Sequence, residues 1–413
     1  ARLRDICMMS AGKSKSTDQI KSEPFEGSYP CFGGNGVRGY VDEYNQDGIF
    51  SIVGRQGALC GNINIAIGKF YATEHAVVTT LFDGIDFKWS NYILEALRLN
   101  NYATGAAQPG LSVANILNVF VPVPPTQEQD RIGNNVYESL KIVEALEQEK
   151  IDLQKIIITA KTKILDLAIR GKLVPQDPND EPASVLLERI RTEKEELIKQ
   201  GKIKRDKKES VIFKGDDNSY YEKLPDEKIN CIDKQLPFEL PDGWKWCNLS
   251  MIGTTNIGLT YRPADIDTQG IIVLRSCNIV NDRINRTDLV RVKTSIRENQ
   301  FVQKDDILIC ARNGSRSLVG KCALIPELAE KVSFGAFMAV YRTPYFSYIV
   351  HFLRSNFFRS VFDDSNSTAI NQLTQDMLKR AVVPLPPLAE QLRIVDKITE
   401  LFERLNCIEE SLN

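Results

Sequence analysis

From residue 132 the chain sets apolar residues at alternating steps of four and three: Ile132, Val136, Val143, Leu146, Leu153, Ile157, Ala160, Ile164 and Leu167, broken only at Ser139 and Lys150. Near the other end Ile394, Ile398, Leu401, Leu405, Ile408 and Leu412 keep the same rhythm. Such spacing holds one apolar seam on a helix and predicts two long helices that pack as a coiled coil. The first is expected from Gln127 to Arg170, roughly 65 Å long, ended by Gly171 and Pro175. The second, at about 26 residues or roughly 38 Å, is read as truncated and too short to pair along all of the first.

Each helix follows the same motif. Residues 121–132 read VPVPPTQEQDRI and residues 383–394 read VPLPPLAEQLRI, with Val121, Pro122, Pro124, Pro125, Glu128, Gln129, Arg131 and Ile132 matched by Val383, Pro384, Pro386, Pro387, Glu390, Gln391, Arg393 and Ile394. Proline suits the position just ahead of a helix, where a missing N–H costs little. Glu128 and Glu390 then fall in the first turn, where the helix dipole favours a carboxylate. Upstream the halves are weakly alike. SIVGRQG (51–57) resembles LICARNG (308–314), a strand entering a glycine turn, and aligns Arg55 with Arg312. YILEALRLN (92–100) resembles YIVHFLRSN (348–356), an amphipathic helix, and Leu3, Ile6 and Gly12 match Leu249, Ile252 and Gly258. An internal repeat therefore predicts an α+β chain with two globular mixed α/β domains holding twisted β-sheets (1–125 and 237–387). A helical spacer and linker (126–236) and a second helix (388–413) complete it. If the second seam packs on the first, the helices run antiparallel and the repeat has a pseudo-two-fold relation.

Between the domains, Pro182 and Ala183 begin a charged helix through Lys199 with Leu186, Leu187, Ile190 and Leu197 on one side. The basic stretch 201–210 reads as a solvated linker, with a phosphate-contacting role as the alternative, and 214–236 as polar turns.

Composition changes this picture little. The formal net charge of −2 and pI near 6.0 do not mark a nucleic-acid binder, so local charge matters more than the sum. Nine cysteines without a CxxC pair read as reduced thiols of a cytoplasmic protein, and two histidines leave a zinc site little to work with. No apolar run approaches the ~18 residues of a membrane span, and no signal-peptide pattern opens the chain. AGKS at 11–14 is not a phosphate loop, because Cys7 stands where its first glycine belongs. GxGxxG after a strand, NPPY-type and GxSxG motifs are missing. Asp206 with Lys208, the best carboxylate–lysine pair for a nuclease, lies in the charged linker.

Two domains related by a repeat can read two half-sites of a duplex. Residues 237–387 carry 12 Arg and 6 Lys against 14 acidic residues, so this half holds local basic surface. Its arginines fall among Asn and Ser, a mixture suited to reading guanine and adenine edges: Arg262, Arg275, Asn278, Arg283, Asn285 and Arg286, then Arg312, Asn313, Ser315 and Arg316. In the near-neutral first domain the candidates are Lys13, Ser14, Lys15, Asn35, Arg38, Arg55, Gln56 and Asn62. Arg55 and Arg312 serve either a shared turn or base contacts. Asn35 between two glycines fits a turn, and Asn371 with Gln372 a helix cap or a phosphate contact. His75 and the set Phe334, Phe337, Tyr341, Tyr345, Phe346 and Tyr348 read as core. A coiled-coil scaffold that binds only protein is the competing reading.

The paired VPxPPxxEQxRI motifs with their trailing helices, the segment IRGKLVPQDPNDEPASVLLERI (169–190) and the lead-in PFELPDGW resemble type I restriction enzyme specificity subunits, over nearly the whole chain. The resemblance implies two target recognition domains, each reading part of a split double-stranded DNA site, and helices that space them and dock two methyltransferase subunits. Restriction subunits join this core. It further implies no catalytic residue, metal or cofactor in this chain: S-adenosylmethionine belongs to the methyltransferase subunits, ATP and Mg to the restriction subunits. Pro124, Pro125, Glu128, Gln129, Pro386, Pro387, Glu390 and Gln391 become structural or partner-facing helix starts.

Overall fold

A computed structural model describes the chain except for residues 58, 106–108, 202, 204–209, 225, 364–371 and 413. It divides into two compact units, Ala1–Ile151 and Asp152–Asn413.

In the first unit β1 (Cys7–Ala11), β2 (Tyr29–Gly33), β3 (Gly36–Val41), β4 (Gln46–Gly54), β5 (Ile63–Ala72) and β6 (Ala76–Leu81) make one sheet in the order β1-β6-β4-β5-β2-β3. All neighbours are antiparallel except β2 with β5. Period-two alternation gives the sheet two apolar faces. One buries Met9, Val53 and Val77 against Trp89 and Leu94 of α1 (Phe87–Ala96). The other packs Phe32, Ile52, Phe70 and Val78 together. Asp86 caps α1 by accepting from the Trp89 N–H at 2.8 Å. A single turn, α2 (Val113–Ile116), precedes α3 (Thr126–Ile169), whose 44 residues match the seam read from the sequence.

The second unit takes in the end of α3 and then α4 (Ala183–Lys199), whose Ala183 and Leu186 are buried. β7 (Val211–Lys214), β8 (Tyr220–Lys223) and β9 (Ile229–Cys231) follow as a three-stranded meander. β8 and β9 lie in the stretch where the sequence predicts only polar turns. Val211, Ile212 and Phe213 pair with Lys223, Glu222 and Tyr221 respectively, and Ser210 donates to Glu222 while accepting from Asn248 at 2.7 Å. The basic stretch, Asp206 with Lys208 included, lies mostly outside the described residues.

β10 (Lys245–Asn248) and α5 (Leu249–Ile252) lead into β11 (Thr254–Ile257), β12 (Ile266–Leu274), the hairpin β13 (Ile279–Val280) with β14 (Arg283–Ile284), and β15 (Val290–Val292). Then come β16 (Ile307–Cys310), β17 (Cys322–Leu324), β18 (Val332–Phe334), β19 (Met338–Arg342), α6 (Phe346–Arg354), α7 (Asn356–Asp363), α8 (Gln375–Arg380), β20 (Val382–Leu385) and α9 (Leu388–Ser411). β11-β19-β16-β17 form one sheet, β15-β12-β18 a second, and β10 pairs with β20. Ile307, Ile309 and Tyr341 face the helices, in one core with Ile349, Phe352, Ile394 and Ile398. Leu308, Cys310 and Val340 meet Ile272, Leu274 and Phe334 of the second sheet.

Leu165, Ala168 and Ile169 of α3 share that helical core with Ile394 and Ile398 of α9. Lys161 pairs with Glu409 at 2.7 Å while Gln176, just past α3, donates to Glu390 at 3.2 Å, so the helices run antiparallel. Further up α3, Leu140, Ile142, Val143, Leu146, Ile156 and Ile158 are exposed.

Candidate nucleic-acid interface

The two units are built on one backbone frame. In the first, Gly12 N–H donates to Ala76 O, Lys13 N–H to Ala72 O, Arg55 N–H to His75 O and Leu111 N–H to Arg55 O, at 2.8–3.0 Å. In the second, Gly258 donates to Met338 O, Leu259 to Phe334 O, Ala311 to Phe337 O and Leu373 to Ala311 O. Both Gly12 and Gly258 lie against carbonyls: an added Cβ would stand 2.0 Å from Ala72 O and 2.2 Å from Gly335 O respectively. The matches of Leu3, Ile6 and Gly12 to Leu249, Ile252 and Gly258 are thus of one structural kind, since the four apolar residues are also buried.

The same frame corrects one alignment. Strand register pairs Gly54 with Ala76 and Cys310 with Met338, so Arg55 corresponds to Ala311 and Gln56 to Arg312. Gln56 bridges Gly110 as Arg312 bridges Gln372. The two arginines look alike in sequence but stand one residue apart, and consecutive residues of an extended chain face opposite sides. Asn371 lies outside the described residues.

In the first unit the β2–β3 turn and the β4–β5 loop enclose an open cavity of about 610 Å³ lined by Gly34, Asn35, Arg38, Gln56, Leu59 and His75 among others. The Asn62 amide donates to Asn35 at 2.7 Å at its rim. Asn35, Arg38, Gln56 and Asn62 are therefore gathered, and Asn35 serves the turn as well. His75, expected in the core, is about a third exposed on the cavity wall. Lys13 and Ser14 are exposed on the segment after β1. Lys15 is already engaged: its side chain is only 9% exposed, pairs with Glu43 at 2.7 Å and Asp42 at 3.7 Å, and lies over Tyr71. The Glu43 hydrogen bond raises its pKa further above the ordinary lysine value. Arg55 is half-buried, with its backbone in the frame.

In the second unit Asn278 is 1% exposed, and its amide is consumed internally: it donates to Asn285 O and Asp288 O and accepts from Arg275 N–H. It shapes the loop from inside. Arg275 is held by Asp288 at 2.8 Å. Arg262, Arg283 and Arg286 are exposed, Arg262 with only a 3.6 Å approach to Asp265. Asn285 and Asn313 accept from the N–H groups of Thr287 and Ser315, two residues on, the local turn typical of asparagine. The Asn313 amide reaches Ser276 at 3.3 Å and Ser315 contacts Ser317 at 2.9 Å. Arg312 and Arg316 are exposed at this edge, and the Arg312 guanidinium stands 5.6 Å from the ring centroid of Phe337. Phe334, Tyr341 and Tyr348 are core as expected, with Tyr345 and Phe346 at its margin. Phe337 is instead 61% exposed. It sits at the tip of the Gly335–Met338 turn, ahead of β19.

The helix starts repeat in detail. The Gln129 amide donates to Pro124 O at 2.9 Å and Gln391 to Pro386 O at 3.0 Å, both side chains buried. Backbone N–H groups of the same glutamines reach Pro125 O and Pro387 O. The glutamates differ: Glu128 is exposed, while Glu390 is buried and accepts from Trp244 Nε1 at 2.9 Å and from Gln176. Burial pushes the Glu390 carboxyl above its usual range against the pull of these donors. Arg393 grips Asp180 through two hydrogen bonds. Among the described residues no group of His, Cys, Asp and Glu is placed to hold a metal, and no helix is long and apolar enough to cross a membrane. All nine cysteines are free thiols.

The family model for the type I restriction modification DNA specificity domain matches residues 1–160 and 241–413. The Escherichia coli type I restriction enzyme EcoAI specificity subunit is 30% identical over 336 residues, 69% of this chain and 54% of that protein. The EcoprrI specificity subunit of the same organism is 50% identical over 123 residues, 29% of this chain and 31% of that protein. The chain thus spans about half or less of the length of these relatives. A solved structure of the HsdS subunit from Thermoanaerobacter tengcongensis shares the fold at TM-score 0.52 and 14% identity, covering 99% of this chain and 90% of that one. Another, described as the basis of complex assembly and conformational transition of the type I R-M system, does so at TM-score 0.58 and 14% identity over 100% and 92%. With both halves of the repeat matched, the chain belongs to the family of type I restriction–modification DNA specificity domains.

Proposed function

We propose that this chain is the sequence-reading subunit of a type I restriction–modification complex, each unit reading one part of a split double-stranded DNA site. One observation carries the reading: a single backbone frame, used twice, presents different side chains at the same loop edge. Gln56 and His75 border a recess in the first unit, and Arg312 and Phe337 a protrusion in the second. A duplicated scaffold with unlike tips suits two unlike half-sites. Gln56, Asn35, Arg38 and Asn62 are the readers of the first unit. Arg262, Arg283, Arg286, Arg312 and Arg316 are those of the second, whereas Asn278 and Lys15 support their loops.

In this reading the exposed apolar stretch of α3 and the helix starts serve two methyltransferase subunits, and restriction subunits join them. The chain itself is not catalytic and holds no cofactor. S-adenosylmethionine is bound by the methyltransferase subunits, ATP and Mg by the restriction subunits, and the assembly works in the cytoplasm.

Single-molecule methylome sequencing of cells expressing the chain with these partners tests the proposal. A two-part methylated motif is the expected result, with affinity of the purified complex falling steeply as salt rises. Absence of a motif together with salt-insensitive binding would leave a protein-only scaffold, and cleavage by the isolated chain with a divalent metal would make it an enzyme.

A further inference from the structure

Phe337 is a large apolar side chain placed where polar readers are expected. It is 61% exposed at the tip of the turn before β19. The turn is rigid: Ala311 and Arg312 N–H both donate to Phe337 O, at 2.9 and 3.0 Å, and Met338 N–H donates to Gly335 O at 2.8 Å. Arg312 stands over the ring, and the neighbouring loops carry Lys321, held to Ser276 O at 3.2 Å, and Arg275. A fixed apolar tip with one guanidinium over its ring is a poor surface for water and a good one for the interior of a base stack flanked by phosphates. The ring has no donor or acceptor, so it cannot read an edge by hydrogen bonding.

We infer that Phe337 is a wedge that enters a base step of the DNA bound by the second unit, next to the base edge that Arg312, held over the ring, reads. This rests on the DNA-reading assignment above. Insertion costs unstacking, least at a pyrimidine–purine step, so the wedge selects such a step without touching base edges. His75, the counterpart in the first unit, borders a cavity and makes no such tip, so the kink belongs to the second half-site alone.

The test uses the full chain with its methyltransferase partners and duplexes bearing the two-part site that methylome sequencing returns, dye-labelled at both ends. Wild type is expected to shorten the end-to-end distance by kinking the second half-site. Phe337→Ala should abolish the kink and weaken binding about tenfold or more, with thermal unfolding unchanged because the ring is mostly exposed. Phe337→Leu, still an apolar wedge, should keep most of both. Specific binding without a kink, or a kink and affinity unchanged in Phe337→Ala, overturns the wedge and leaves DNA reading intact. Loss of affinity without a change in bend assigns the ring to a thymine methyl and also overturns it. A wild-type complex with no site preference removes the DNA reading itself.

Discussion

The indole Nε1 of Trp244 donates to a carboxylate oxygen of Glu390 at 2.9 Å inside the second unit. This bond makes two identical motif letters unequal, because Glu128 is exposed where Glu390 is 1% exposed. A buried carboxylate depends on its donors. Trp244→Phe is therefore expected to cost about 1–3 kcal/mol, read as a shift in urea midpoint. Glu128→Ala should stay within about 0.5 kcal/mol. Burial raises the Glu390 carboxyl above its ordinary value, so the folded state holds this proton more tightly than the unfolded one. The group's contribution is most favourable below the ordinary glutamate pKa and is lost as pH rises through the raised value. Glu390→Gln keeps an acceptor for Trp244 but turns an amide N–H toward the Gln176 amide N–H, so it should remove that slope while losing that one hydrogen bond, about 1 kcal/mol.

Gly258 approaches Gly335 O so closely that a Cβ would sit 2.2 Å from it. Backbone cannot yield there as a side chain can, since Gly258 N–H and Leu259 N–H are both in the frame. Gly258→Ala should cost about 2 kcal/mol or more by overpacking, and Gly12→Ala a similar amount in the first unit. Thermal unfolding of the two variants checks this. Unchanged melting would mean the frame is looser than its hydrogen bonds imply.

Much of this was legible because it is periodic or repeated. The seam announced α3 almost to its ends, and the Pro-Pro-x-x-Glu-Gln motif announced two helix starts whose glutamines cap the same carbonyls. What escaped reading was set by partners distant in sequence. Arg55 and Arg312 match as letters, but strand pairing with β6 and β19 decides their places and separates them by one residue. Asn278 has the composition of a base reader, yet the Asn285 and Asp288 carbonyls claim its amide. Phe337 belongs to an aromatic cluster in sequence and leaves it only because a turn intervenes. The β7–β9 meander was hidden because its short strands sit among turn residues, with no long apolar alternation.

His351 lies on α6 edge-on to Phe402 of α9, and its Nδ1 has no hydrogen-bond partner among the described residues. Burial, with help from Arg354, lowers its pKa to about 3. The unfolded chain takes up this proton near the ordinary value of about 6.5, whereas the folded one does not until about pH 3. Stability is thus lost as pH falls from about 6.5 toward 3. His351→Phe should flatten that part of the curve of stability against pH. An unchanged slope would assign the acid sensitivity to other groups.

Arg312 and Asn278 separate reading from support. Arg312 is exposed at the loop edge and Asn278 is buried with three internal hydrogen bonds. A side chain that reads a base edge contributes to discrimination at one position, worth about 1–3 kcal/mol, and little to folding. A buried amide that knits a loop contributes to folding, with about 1–3 kcal/mol lost when its partners are left unsatisfied. Selection of binding sites from a random duplex pool by each complex distinguishes them. Arg312→Ala should relax one position of the second half-site and melt like wild type. Asn278→Ala should melt earlier and, at a temperature where it is folded, select the wild-type motif more weakly overall. If Arg312→Ala selects an unchanged motif while Asn278→Ala alters one position, the two residues have exchanged roles and the second half-site is read from inside the Arg275–Asp288 loop.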